Sequence, residues 1–213
     1  MEIIQIPVGH MGNLSYIVYD KSGRQAVIID PSWEADKLSE EIRRNNLDLK
    51  AILLTHGHFD HSNAVPVIMR EFGNIPAYMR QEDSGLPQET FAFKTFDDGF
   101  AVPEFSALKA ICAPGHTAGS VCWLMDDKGS AFMFTGDTLF AGACGRIDFP
   151  ESLPHKMHGT LRQLSQMPDN IVIYPGHSYN KSISTIGEEK KHNPYLKAAA
   201  ELTNDEFIEM MMY

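Results

Sequence analysis

Short apolar runs separated by turn-forming residues dominate the start of the chain and predict consecutive β-strands. These runs are rich in β-branched residues and are separated by Gly-containing turns, as expected of strands. They cover residues 3–8, 14–19 and 25–30. After them, Ser32 is a suitable N-cap for a helix that carries Leu38 and Ile42 on one face.

The alternation of strand and helix patterns continues through the rest of the chain. A buried strand at 50–54 precedes a helix that begins near His61. The second half of the chain, from residue 107 onward, again contains strand patterns followed by helix patterns. The predicted strands of this half are 107–113, 120–126, 130–135 and 171–174. One predicted helix contains Met157, Leu161 and Leu164, and two more lie near 183–192 and 204–212. Strands followed by helices in each half predict an α/β fold with two sheets flanked by helices, in a single domain of residues 1–213.

Composition and charge exclude several classes of partner. The 213 residues carry a formal net charge of −10, which disfavours nucleic acid or an anionic membrane as the main partner. Neither a secretory signal nor an apolar run of membrane-spanning length is visible. The three cysteines form no CxxC pair, so we expect inert thiols and a cytoplasmic protein.

A dense cluster of metal-ligand side chains directly follows the predicted strand 50–54. It has the form H-x-H-x-D-H and consists of His56, His58, Asp60 and His61. Imidazole and carboxylate groups are the ligands expected for Zn, Fe or Mn. His56 and His58 project to the same side of an extended or turning chain. Asp60 and His61 then fall on the next turn, where they can reach a neighbouring ion.

Three further motifs have a common form, in which an apolar strand leads through a small or Gly-containing turn to a possible ligand. They place His116 in A-P-G-H-T, Asp137 in F-T-G-D-T and His177 in Y-P-G-H. Each motif alone is more typical of a structural turn. Together they indicate one metal site, because loops after strands can meet at the same rim of a fold.

The four motifs in this order are similar to those of the glyoxalase II-like branch of the metallo-β-lactamase superfamily, and the resemblance covers nearly the whole chain. It implies an αββα sandwich of two mixed β-sheets flanked by helices. It also implies that one metal binds His56, His58 and His116, that a second binds Asp60, His61 and His177, and that Asp137 bridges the two. Asp30 matches a family Asp below the site, where it would orient a ligand His.

The chemistry that follows from two such metals is hydrolysis. A water shared by two metal ions loses a proton near neutral pH and supplies a hydroxide that attacks a polarised carbonyl. A thioester suits this site because its thiolate leaves readily and binds a soft metal well. Asp60 and Asp137 are therefore the expected catalytic carboxylates, with Asp60 also orienting the nucleophile.

Substrate contacts are expected from two further residues. Arg146 and Tyr179 match positions that contact the thiol carrier in glutathione thioesterases of this branch. Asp148, however, stands where the glyoxalase II pattern has an aromatic contact, and the chain ends before the helical C-terminal domain of those enzymes. We therefore expect a short glyoxalase II-like hydrolase that acts on a small thioester, either as a monomer or as a homodimer.

Two alternatives remain open at this point. The segment R-x-D-F at 146–149, with residues 184–190 and Asn193-Pro194, is similar both to short single-domain glyoxalase II-like hydrolases and to persulfide dioxygenases. In the dioxygenases His56, His116 and Asp137 would hold one Fe(II), with Tyr179 nearby, and the ligand motif does not separate the two because both retain it. Phe59 and Ser178 depart from the usual dioxygenase pattern and favour hydrolysis. The other alternative is a non-catalytic metal-binding module, since a fold can be retained after its activity is lost.

Overall fold

Two five-stranded sheets form the centre of the computed structural model, which describes residues 1–127 and 129–212. Lys128 and Tyr213, which belong to the predicted domain 1–213, lie outside the described residues. The first sheet contains, in spatial order, β1 (Glu2–Val8), β2 (Asn13–Tyr19), β3 (Gln25–Ile29), β4 (Asp48–Leu53) and β5 (Ala77–Tyr78). It is mixed, because β1, β2 and β3 are antiparallel whereas β3, β4 and β5 are parallel.

The second sheet is built from the later strands. The remaining strands of the described chain are β6 (Leu108–Cys112), β7 (Val121–Asp127), β8 (Ser130–Gly136), β9 (Leu139–Phe140), β10 (Ala143–Cys144), β11 (Val172–Pro175) and β12 (Ser184–Thr185). The spatial order of the sheet is β12-β11-β8-β7-β6, and β9 and β10 form a separate small hairpin. This sheet is also mixed, since β8 and β11 are parallel and the other pairs are antiparallel.

Helices cover the outer faces of both sheets. They are α1 (Ala35–Arg44), α2 (Phe59–Ser62), α3 (Val65–Glu71), α4 (Pro154–Ser165), α5 (Ile186–His192), α6 (Pro194–Glu201) and α7 (Asn204–Met212). Among the described residues, none of these helices has the length and apolar character that a membrane span needs. The predicted αββα sandwich of two mixed sheets is confirmed.

Side-chain alternation along the strands explains this layering. In β2, Tyr16 and Val18 pack between the sheets, whereas Ile17 faces the helices on the outer side. In β8, Phe134 lies between the sheets and Met133 lies beneath the helices. Because both faces of the central strands are buried, the strands read as nearly continuous apolar runs.

The structure departs from the sequence prediction at three points. Helix α1 begins at Ala35 rather than after a cap at Ser32. Asp30 and Trp33 have φ angles of 48° and 59°, so the chain between them turns sharply and cannot continue as a right-handed helix. The helix expected near His61 is divided into α2 and α3. Helix α6 was not predicted, although Asn193 caps it through its side-chain oxygen.

A buried hydrogen bond joins the first sheet to β11 of the second sheet. The hydroxyl of Tyr16 donates to the carbonyl oxygen of Pro175 over 2.6 Å. Burial, with the nearby Asp30 and Tyr174, raises the pKa of Tyr16 well above its ordinary value, so the hydroxyl keeps its proton. This bond therefore fixes the end of β11 relative to β2.

We expect Tyr16→Phe to destabilise the protein by about 1–3 kcal/mol, because the buried carbonyl of Pro175 loses its donor. The measurement is the free energy of unfolding in urea. Tyr19→Phe, on the opposite face of β2, is the matched control and should change stability less. Equal effects of the two substitutions would contradict a role for the Tyr16 hydroxyl in joining the sheets.

Candidate metal centre

The seven side chains proposed as ligands from the sequence lie together at one rim of the sandwich. Each follows a strand: loops carry five of them, and Asp60 and His61 lie in the short helix α2. Four follow β4, and the others follow β6, β8 and β11: His56, His58, Asp60 and His61, then His116, Asp137 and His177.

Six of these residues form two groups of three. In the three-histidine group, one ring nitrogen from each of His56, His58 and His116 lies within 4.8 Å of the others. In the aspartate group, the same limit holds for one ligand atom from each of Asp60, His61 and His177. These are the two sets that the family resemblance implied, and each could hold one metal ion.

Asp137 lies between the two groups and faces both. Its Oδ1 is 3.4 Å from His61 Nε2 in the aspartate group. Its Oδ2 is 3.6 Å from His116 Nε2 in the three-histidine group and 3.4 Å from His177 Nε2. A carboxylate in this position could bridge two metal ions.

Each of the five histidines also has a hydrogen-bond partner at the ring nitrogen that faces away from the cluster. These partners are Thr55 Oγ1 for His56 at 3.0 Å, Glu151 Oε1 for His58 at 2.7 Å, Asp30 Oδ2 for His61 at 3.2 Å, Arg146 O for His116 at 2.9 Å and Met11 O for His177 at 3.0 Å. All five can accept a hydrogen bond, so the outward nitrogen carries a proton whether or not the ring is charged, and the inward nitrogen is the one that would give up its proton to bind a metal ion. Ligand histidines need this tautomer.

The inward atoms fit metal ions. Within residues 1–127 and 129–212, His56 Nε2 and Asp137 Oδ1 are buried without a hydrogen-bond partner. His61 Nε2 and His177 Nε2 lie only 3.2 Å apart. Polar atoms buried in this way are costly unless a cation or a proton satisfies them. Five imidazoles and two carboxylates suit Zn, Fe or Mn.

Asp30 lies directly behind this site. Its oxygens accept hydrogen bonds from the Thr55 main-chain N at 2.7 Å and from Thr55 Oγ1 at 2.6 Å. Oδ2 also faces His61 Nδ1. Although Asp30, His56 and His61 meet the distance limit for a further metal group, these contacts already occupy both carboxylate oxygens. The arrangement supports the expected role of Asp30 in orienting His61.

The two ligand carboxylates stay ionised in this setting. Burial raises the pKa of Asp137, but the charge of His61 and the hydrogen bond and charge of His177 outweigh it and lower that pKa to about 2. Burial likewise raises the pKa of Asp60, whereas hydrogen bonds from His177 and Asn13 and the charge of His61 hold it well below its ordinary value. Two ionised carboxylates in a mostly buried site favour a bound cation.

Asn13 contributes to the site although no sequence motif predicts it. This side chain is buried at the start of β2 and donates from Nδ2 to Asp60 Oδ2 over 2.9 Å. Trp33 Nε1 donates in turn to Asn13 Oδ1 over 3.0 Å. The two contacts fix the Asp60 carboxylate from the side of the first sheet.

Asp83 is a second residue that the sequence analysis missed. Its side chain is fully buried and accepts hydrogen bonds from Gly57 N, Thr117 Oγ1 and Gly119 N, at 2.9, 2.7 and 2.7 Å. It therefore joins the loop that carries His56 and His58 to the loop that carries His116. A lone Asp in a polar stretch carries no motif that would reveal this role.

Two glycines make room for the bridging carboxylate. A Cβ at Gly176 would lie 2.4 Å from Asp137 Oδ1 and 2.8 Å from His61 Cε1. A Cβ at Gly145 would lie 3.0 Å from the ring of His116 and would also overlap the Asp137 carbonyl oxygen. Any larger residue at either position would therefore displace the ligands.

A cavity of about 310 Å³ opens over the candidate ligands. Its floor includes His58, Asp60, His116, Asp137 and His177, and its walls include Met11, Phe140, Cys144, Arg146, Phe149 and Tyr179. Burial raises the pKa of Cys144 to about 12. This wall thiol therefore remains protonated near neutral pH and is a poor nucleophile.

The predicted substrate contacts Arg146 and Tyr179 both line this cavity. Tyr179 is exposed and stacks on His177, with ring centroids 4.7 Å apart. The Arg146 guanidinium lies 4.4 Å from the centroid of the Phe149 ring and donates from Nε to Asp148 over 2.6 Å. Arg146 therefore reaches the cavity, but Asp148 already pairs with its charge.

Comparisons with known proteins agree with this geometry. The family model of the metallo-beta-lactamase superfamily matches residues 8–177. Hydroxyacylglutathione hydrolase GloC of Haemophilus influenzae is 34% identical over 216 residues, which cover 93% of this chain and 99% of the relative. BaeB of Bacillus velezensis, described as a probable polyketide biosynthesis zinc-dependent hydrolase, is 35% identical over 190 residues, covering 84% of this chain and 80% of the relative.

A solved structure supports the fold. The crystal structure of ETHE1 from Myxococcus xanthus superposes with a TM-score of 0.84 at 28% sequence identity. The match covers 100% of this chain and 90% of that chain. The arrangement of strands and helices is therefore shared over the full length.

We expect Gly176→Ala to reduce the bound metal by at least one ion per chain, because the added methyl group displaces the Asp137 carboxylate. Metal content after exhaustive dialysis checks this expectation. The matched control is Gly159→Ala in α4, where the added Cβ would meet no described atom within 4 Å apart from its chain neighbours and the nearby backbone of its own helix. The control should stabilise the protein by about 0.5–1 kcal/mol. Full metal content in Gly176→Ala would contradict the proposed bridging geometry.

We expect Asp83→Ala to lower the free energy of unfolding by at least about 3 kcal/mol, because three buried donors lose their acceptor. It should also weaken metal binding, since two ligand loops lose their connection. Urea unfolding and metal content measure the two effects. Asp126→Ala, at an exposed position of β7, is the control. Similar stability of the two variants would refute the role of Asp83.

Proposed function

The chain belongs to the metallo-beta-lactamase superfamily, and we propose that within it the chain is a metal-dependent hydrolase of small thioesters, with glutathione thioesters as the first substrate class. The observation that carries this proposal is the position of Asp137 between two groups of three ligands. Such a site offers ligands for two metal ions. A cavity of suitable size for a small substrate opens directly onto it.

The three-histidine group and the aspartate group would each hold one divalent metal ion, and such ions would supply Lewis acidity toward a thioester carbonyl and toward a bound water. The protein side chains prepare the site for this reaction. Asn13 holds one oxygen of Asp60 in place, and Asp60 also borders the cavity. Asp60 can therefore accept a hydrogen bond from the attacking water and orient it toward the substrate.

The cavity walls supply the contacts for the rest of the substrate. The aromatic rings of Phe149 and Tyr179 offer apolar surface close to the ligands. Arg146 offers a guanidinium that can bind a carboxylate of the thiol carrier. A thiol carrier such as glutathione, which has both polar and anionic groups, matches these two kinds of wall.

The relatives support this choice of substrate and metal. GloC is a hydroxyacylglutathione hydrolase and is similar to this chain over nearly the full length of both proteins. BaeB is described as zinc-dependent. Zinc suits the proposed site because it binds imidazole and carboxylate ligands without redox chemistry.

A mononuclear iron dioxygenase that acts on glutathione persulfide is the second candidate. The likeness to ETHE1 over the whole chain supports it. In that case His56, His116 and Asp137 would hold the iron, and the remaining ligand residues would serve the surrounding structure. Phe59, which packs edge-to-face on Trp33 at 5.4 Å, stands where dioxygenases of this type usually have a small residue. This departure favours hydrolysis.

The number of metal ions and the reaction can be measured together. We expect two metal ions per chain and cleavage of S-lactoylglutathione, and Asp137→Ala should lose both metal and activity. Metal analysis, thiol release and oxygen uptake with glutathione persulfide are the three measurements. One iron per chain together with oxygen uptake would overturn the hydrolase and establish the dioxygenase. Unchanged metal content in Asp137→Ala would refute the proposed site altogether.

A further inference from the structure

Glu151 lies in a turn that is fixed against the loop of His116. The turn precedes α4 and is closed by a hydrogen bond from Ser152 N to Phe149 O over 3.0 Å. Ser152 Oγ donates to the carbonyl of His116 over 2.7 Å, and Leu153 N donates to Gly115 O over 2.8 Å. The backbone that carries Glu151 is therefore held in place by the same loop that carries a candidate ligand.

From this turn, Glu151 reaches the outward nitrogen of His58. Its Oε1 lies 2.7 Å from His58 Nε2, and about a quarter of its side chain is exposed, at 26%. The other ring nitrogen of His58, Nδ1, faces His116 Nε2 at 3.0 Å inside the three-histidine group. Nδ1 is thus the candidate metal ligand, and Nε2 carries the proton that it donates to Glu151.

Among the five ligand histidines, His58 has the most exposed ring. The other four are buried, and packing as well as hydrogen bonding restrains them. The side chain of His58 is 17% exposed, so packing restrains it less. The hydrogen bond to Glu151 therefore has more influence on the orientation of the His58 ring than the corresponding bonds have on the four buried rings.

We propose that Glu151 is a positioning residue that orients His58 and strengthens metal binding at the three-histidine group. The inference rests on the proposed two-metal site. A carboxylate that accepts the outward N–H fixes the ring and makes the imidazole a stronger donor to a metal. Asp30 has the corresponding place behind His61 in the aspartate group. Each group then contains one histidine that is backed by a carboxylate.

The effect of Glu151 should be confined to one of the two groups. Glu151 contacts His58, and its loop contacts His116, both in the three-histidine group. The aspartate group is held instead by Asn13, Asp30 and the carbonyl of Met11. Loss of Glu151 should therefore weaken one metal site and spare the other.

The test titrates metal-stripped, full-length protein with Co²⁺ and follows the absorption spectrum of the bound ion. In an Asp60→Ala background, which removes a ligand of the aspartate group, we expect Glu151→Ala to weaken Co²⁺ binding by about 10–100-fold. Glu151→Gln keeps an acceptor oxygen but loses the charge. Its Co²⁺ affinity should therefore lie between that of the Asp60→Ala parent and that of the Glu151→Ala variant. Glu201→Ala, at an exposed position in α6, is the matched control and should bind as its parent does.

The same substitution in a His58→Ala background tests whether Glu151 acts through its contact with His58. With His58→Ala, the added Glu151→Ala substitution should have no further effect, because coupled residues give non-additive changes. Unchanged Co²⁺ affinity in both Glu151 variants would overturn the proposal. Equal weakening at the two groups, or a matching drop in the melting temperature of the metal-free protein, would also overturn it by showing a general structural role.

The result does not depend on catalysis, since Co²⁺ affinity is measured without substrate. Failure of the wild-type protein to cleave thioesters would refute the proposed function and leave the effect of Glu151 on metal binding intact. Failure of the wild-type protein to bind two metal ions would refute the site on which both proposals rest.

Discussion

The need to satisfy a buried group of imidazoles and carboxylates governs how this chain is folded at its functional rim. Each of the five histidines has an acceptor behind it, and Asp60 and Asp137 lie within reach of several ring nitrogens. An unsatisfied polar atom in such a place costs free energy comparable to a lost hydrogen bond or more. The loops must therefore present carbonyl, hydroxyl and carboxylate oxygens at defined positions.

The relative position of the two sheets determines the geometry of the candidate metal site. The three-histidine group takes ligands from loops of both sheets, and so does the aspartate group, because β4 belongs to the first sheet and β6 and β11 belong to the second. Tyr16 and Asp83 cross the same boundary through buried hydrogen bonds. A relative shift of the sheets would separate ligands within one group, so precise packing between the sheets is part of the metal site.

The sequence was informative where a physical constraint repeats along the chain. Continuous apolar runs predicted the central strands, because both faces of these strands are buried, and the histidine motifs predicted which segments meet. Asn13, Asp83 and Glu151 escaped prediction because each is a single polar residue whose partner is distant in sequence. The cap at Ser32 failed because left-handed residues at Asp30 and Trp33 set the start of α1, and no local pattern reveals them.

The mouth of the cavity constrains how the proposed substrate, a thioester of an anionic thiol carrier, could be recognised. Arg146 and Asp148 are both exposed and paired with each other, and exposed ion pairs contribute little net free energy because solvent screens them. A carrier carboxylate must compete with Asp148 for the guanidinium. Electrostatic attraction at this mouth is consequently weak, and the chain as a whole carries a net charge of −10. Under the proposed function, discrimination among thioesters would then depend mainly on contact with Phe149 and Tyr179, which line the cavity next to the candidate metal ligands.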